Sequence, residues 1–135
     1  MVNALFDTGR AAFLNAGVNW TSDNIKAVLV DHGVDTPVPA TDSFLSDITA
    51  GARIATSANF SGKTSTAGVA DAADLTFSAV SGASVESIVI YKDSGVEGTS
   101  QLIAFIDTAT NLPVTPNGGD IIVAWDNGAN KIFKL

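Results

Sequence analysis

Apolar positions divide the chain into one segment with helical spacing, followed by short runs of strand length. In residues 3–16, NALFDTGRAAFLNA, the positions Leu5, Phe6, Gly9, Ala12, Phe13 and Ala16 fall on one face of a helix. Asn3 is the expected N-cap and Gly17 the expected stop, with Gly9 weakening the helix by about 1 kcal/mol relative to alanine. From Asp23 the pattern changes. IKAVLV at 25–30 is an apolar run of strand length, closed by Asp31-His32-Gly33. The loop GVDTPVPAT carries Pro37 and Pro39, which favour extended backbone. Residues 42–48 predict one helical turn capped by Asp42, and residues 52–60 a strand.

Five further runs follow at 75–80, 85–91, 102–107, 120–125 and 130–135, rich in β-branched and aromatic residues and bounded by Gly, Ser, Asn or Asp. Alternation is clearest in ESIVIYK, where Ile88 and Ile90 face one way and Val89 and Tyr91 the other. Asp126-Asn127-Gly128 predicts a tight turn joining the last two runs into a hairpin, and Asn117-Gly118-Gly119-Asp120 a second turn. Seven or eight strands with few helices predict a mainly β fold, a β-sandwich or jelly roll with a short N-terminal helix, as one domain over residues 1–135.

Charge narrows the possible partners. Seven basic residues against fourteen acidic ones give a net charge of −7. The cations Arg10, Lys26, Arg53, Lys63, Lys92, Lys131 and Lys134 are scattered, so neither nucleic acid nor an anionic membrane is an expected partner. The start of the chain lacks a basic region followed by an apolar run. No stretch approaches the roughly 18–20 apolar residues of a membrane span, and a soluble protein is expected. Charged residues are only 16% of the chain, against about 25% in an average soluble domain. Ser and Thr together number 25 and Ala 20, so the polar surface is mostly small and uncharged. Subunit interfaces share this depletion, which favours a surface covered by protein over a well-covered monomer.

Candidate chemistry is sparse. His32 is the single histidine, no G-x-S-x-G elbow accompanies it, and its place after a strand is that of a turn residue. Gly62-Lys63-Thr64 resembles the end of a phosphate-binding loop, but position 57 is Ser where glycine is required. The pairs Asp31/Asp35 and Asp71/Asp74 lack a calcium-loop pattern and read as turn aspartates that cap backbone N–H groups. With no cysteine and one histidine, no metal site, cofactor or catalytic residue is expected, and a non-enzymatic protein is. Trp20, Trp125 and Tyr91 suit sugar stacking or an interface, and more often core packing.

Taken together, NALFDTGRAAFLNAGVNW, IKAVLVD, FLSDI, GARIATSANFSGKT, SGASVESIVIYKDSG and LIAFIDTATNLPVTPNGGDIIVAWDNGANKIFKL resemble a family of small tailed-bacteriophage virion proteins over nearly the full length. The resemblance implies a capsid decoration or cement protein on the outer surface of the head, docked on the major capsid protein as a dimer or trimer. The alternative is a minor tail component or a receptor- or carbohydrate-binding module. The expected contact elements are the N-terminal segment around Leu5, Phe6 and Phe13, the loop with Pro37 and Pro39, and the terminal hairpin near Trp125 and Phe133.

Overall fold

Three long apolar runs make the centre of the fold because each is buried on both faces. The computed structural model describes residues 3–135. In chain order the strands are β1 (Ala4–Leu5), β2 (Ile25–Val30), β3 (Arg53–Thr56), β4 (Val69–Ala70), β5 (Leu75–Phe77), β6 (Ser87–Lys92), β7 (Leu102–Ile106), β8 (Ile121–Val123) and β9 (Phe133–Lys134), with one helix, α1 (Asp7–Leu14). Five of them form an antiparallel sheet in the order β1-β7-β6-β2-β3. The ribbons β4-β9 and β5-β8 supply the second β layer. The chain is therefore mainly β with a short helix near its N-terminus.

Alternation in the central strands sorts side chains into two cores. Ile25, Ala27, Leu29, Ile88 and Ile90 face the ribbons and pack with Trp20, Phe60, Leu75, Phe77 and Trp125. Val28, Val30, Val89 and Tyr91 face the other way and pack with Phe6, Leu45, Ile48 and Ala52. The facing read from ESIVIYK is the one observed. Between β6 and β7 the register shifts: Ile90 pairs with Ala104 but Tyr91 with Leu102, leaving Ile103 as an extra residue. That bulge turns Ile103 and Ala104 toward the ribbon core while Leu102 and Phe105 stay on the opposite face.

Five local expectations are corrected. The helix begins at Asp7, because residues 4 and 5 pair with β7 and the Phe6 N–H donates to Ile103 O at 2.9 Å. Asn3 does not cap it. Its Oδ1 accepts the N–H groups of Asp107 and Thr108 at 2.9 Å, pinning the segment after β7. At the other end the left-handed position is taken by Ala16 (φ 59°), one residue before Gly17. Gly17 N–H then closes on Ala12 O at 2.7 Å and Ala16 N–H on Phe13 O at 3.4 Å, the paired bonds of a Schellman stop.

Asp42 does not cap the 3-10 turn Leu45–Asp47; its carboxylate accepts the Val38 N–H at 2.8 Å. Asp47 instead accepts from the N–H groups of Ser43 and Phe44. The terminal hairpin is also absent. β8 pairs with β5 and β9 with β4, because Trp125 anchors the chain between them. Its N–H donates to Asp74 Oδ1 at 3.0 Å and its Nε1–H to Ala73 O at 3.2 Å. Asp126-Asn127-Gly128 becomes an exposed irregular loop.

Candidate protein interface

The core face of the sheet opposite the ribbons is closed by loops, and those loops carry the apolar surface. The layer consists of the 3-10 turns Leu45–Asp47 and Ala50–Ala52 with a third, Glu97–Thr99, packed on the first. Arg53, at the start of β3, holds them together. Its Nε–H donates to Ile48 O at 3.0 Å, and one terminal nitrogen donates to Ile48 O at 2.7 Å and Leu45 O at 3.1 Å. The other pairs with Glu97 Oε1 at 2.7 Å. A planar guanidinium with five donors in a fixed fork can satisfy three acceptors on two segments at once.

On this braced layer Val34 is 54% exposed, Val38 43%, Phe44 36% and Val96 62%. They are four of the seven large apolar residues exposed among the described residues; the others are Leu14, Ile122 and Leu135. Carboxylates flank them. Asp47 is held below the ordinary value of 3.8 by the N–H groups of Phe44 and Ser43. Asp42 is pushed above it by burial, with Asp47 and Asp35 adding repulsion and the Val38 hydrogen bond opposing. The raised value means that the stability from protonated Asp42 is fully present below 3.8 and is lost as pH rises through the folded-state value. Asp42→Asn keeps an acceptor for Val38 N–H and removes the charge. It should therefore match the wild type in acid and exceed it near neutral pH by less than about 1 kcal/mol, read from urea melts across pH.

The structure separates the expected contact residues. Phe6 and Trp125 are buried core residues and present no surface to a partner, a correction that follows from the packing of both. Pro37 is buried as well. Pro39 is half-buried, and its carbonyl accepts the Asp7 N–H at 3.0 Å, tying this loop to the start of α1. Phe13 and Phe133 are half-buried and pack on each other, ring centroids 6.0 Å apart, as a joint between α1 and β9. Leu5 is half-buried on the floor of a groove of about 1060 Å³, walled by Ile106, Leu112, Ile121 and Phe133 with Arg10 and Lys134 at its rim. Between the two prolines, Val38 is exposed. Val34, Phe44 and Val96 were not legible as surface: in SFLSD, Phe44 and Leu45 look equivalent, and only the fold decides that Leu45 turns inward.

The remaining candidates have structural places. His32 bridges the end of β2 to the start of β6, with its N–H on Glu86 Oε1 at 2.8 Å and Nε2 2.8 Å from Ser87 Oγ. Its ring stacks on Phe105 at 6.0 Å. Asp31 accepts the Gly33 N–H two residues on, as a turn aspartate does, whereas Asp35 and Asp74 accept the N–H groups of the remote Thr49 and Trp125, and Asp71 pairs with Lys131 at 3.8 Å. Lys63 donates to Asp23 O, and burial lowers its pKa. Trp20 is 5% exposed, with its Nε1–H on Asp71 O at 3.1 Å and its ring edge-on to Phe60 and Phe133. Neither tryptophan is a platform for a sugar. Burial pushes the Tyr91 phenol up to about 12. Among the described residues no helix is long and apolar enough to cross a membrane.

No family model matches the chain, and no curated protein matches it.

Proposed function

We propose that this chain is a non-enzymatic structural protein of a tailed-phage virion, a decoration or cement protein that docks on the major capsid protein and stabilises the head. The observation that carries the reading is the concentration of exposed Val34, Val38, Phe44 and Val96 on one loop layer, above a core that is already complete. Arg53 ties the turn after Phe44 to Glu97, next to Val96, so the backbone that presents these two side chains is already ordered before they are covered. Sequence resemblance over nearly the whole length and the charge-poor composition support the same reading. The net charge of −7 fits the outer surface of a shell packed with DNA. Association as a dimer or trimer would match the symmetry axes of such a shell and multiply modest contacts through avidity.

Co-sedimentation with undecorated capsids tests this. The wild type should pellet at a fixed ratio per capsid subunit. The double variant Phe44→Asp, Val96→Asp should bind about tenfold more weakly or worse while melting within a few degrees of the wild type, as buried apolar anchors dominate interface energies. Retention on tails without capsid binding would overturn the reading. The groove near Leu5 favours a second one, a receptor- or carbohydrate-binding module of the tail, because its volume suits a small ligand. A glycan-binding screen separates the two.

A further inference from the structure

The sequence contains two Asn-Gly pairs, Asn117-Gly118 and Asn127-Gly128. Glycine has no side chain to shield its amide nitrogen, so both pairs are open to the same intramolecular reaction. We propose that Asn127 is a site of spontaneous deamidation and isoaspartate formation, and that the fold directs the reaction there and away from Asn117. The Gly128 backbone nitrogen attacks Asn127 Cγ and gives up its proton. The new N–Cγ bond closes a succinimide as the Cγ–Nδ2 bond breaks and ammonia leaves. Water then opens the ring at one carbonyl or the other, giving aspartate or isoaspartate, with no change of oxidation state.

The two pairs sit in different settings. Asn117 Oδ1 accepts the Gly119 N–H at 2.9 Å, and the Gly118 N–H, the attacking group, donates to Val80 O at 2.8 Å. Val80 N–H returns a bond to Gly119 O at 2.9 Å, so the turn is clamped on both sides. Reaction at Asn117 requires at least two of these bonds to open. Asn127 and Gly128 are exposed, in a segment of irregular backbone between Trp125 and β9. Among the described residues neither the Asn127 carboxamide nor the Gly128 N–H makes a hydrogen bond; the nearest restraint is Lys131 N–H on Gly128 O at 3.3 Å. The Asp126 carboxylate lies beside the same glycine, since a β-carbon there would meet Asp126 Oδ2 at 2.8 Å. Each event adds one negative charge next to Asp126 and Lys131, which line the groove, and the isoaspartate form lengthens the backbone of the loop by one carbon.

The test holds the folded protein at mildly alkaline pH and follows both peptides by mass spectrometry. Isoaspartate is scored by methyl transfer from S-adenosylmethionine with an isoaspartyl carboxyl methyltransferase. Asn127 should convert about tenfold faster than Asn117 or more, the factor expected from two opened hydrogen bonds. In concentrated urea the two rates should converge, because the difference belongs to the fold. Asn127→Gln should remove the acidic charge variant without moving the melting temperature, and is preferred to Gly128→Ala because of the Asp126 contact. Equal rates in the folded protein, faster conversion of Asn117, no conversion at either, or an acidic variant that persists in Asn127→Gln would each overturn the proposal.

Discussion

Gly9→Ala should destabilise the protein by about 2 kcal/mol or more, although alanine is the better helix former by about 1 kcal/mol. Gly9 is the buried residue of α1 and rides directly on β7. A β-carbon at this position would lie 2.5 Å from Leu102 O and 3.1 Å from Ile103 Cα. Both are backbone atoms at the bulge, held by the ladder to β6, so neither can yield as a side-chain end would. The clash therefore outweighs the propensity gain, and the helix must lift from the sheet. Loss on this scale should lower the melting temperature by roughly 5–10 °C. The control is Ala11→Gly, exposed on the same helix, which should cost only the propensity difference of about 1 kcal/mol. A neutral or stabilising Gly9→Ala would show that α1 does not seat on β7 as described.

Phe105→Ala should cost about 3–5 kcal/mol, a large part of the stability of a domain this size. Phe105 is fully buried in β7, between Phe6 and the sheet residues of the loop-side core, and carries the His32 ring on its face. Truncation removes apolar contacts, leaves a cavity under the loop layer and frees the imidazole that bridges β2 to β6. Phe105→Leu keeps most of the apolar volume and should cost less than half as much. Urea unfolding measures both, and the m-value reports whether the native state has loosened. Because this core supports the layer that holds Phe44 and Val96, Phe105→Ala should also weaken the proposed docking on capsids at temperatures where the fold persists.

Much of this architecture was legible because its cause is local. IKAVLV and ESIVIYK read as strands from composition, and alternation in the second assigned Ile88 and Val89 to opposite faces, where they lie. What failed depended on partners remote in sequence. Asp126-Asn127-Gly128 has hairpin chemistry, yet Trp125 is captured by Asp74 and Ala73, 51 and 52 residues earlier, which sends β8 and β9 to different partners. The short β1 and β4 have two residues each, too few for any periodicity to register. Leu5 and Phe6 carried helical spacing, but pairing with β7 outweighed it. The exposed apolar layer was hardest to read. Aromatic content pointed to Phe6 and Trp125, which the core consumes, whereas Arg53 gave no sign in the sequence that it would brace Phe44 and Val96 at the surface.

In the proposed docking, the loop layer bearing Val34, Val38, Phe44 and Val96 meets the shell. A cryo-electron-microscopy map of capsids saturated with the protein tests it most directly. The expected result is density on the outer face of the shell at seams between capsid subunits, with the 3-10 turn Leu45–Asp47 pointing inward and the Asp126-Asn127-Gly128 loop pointing outward. A bare shell, or bound density that presents the loop layer to solvent, would contradict it.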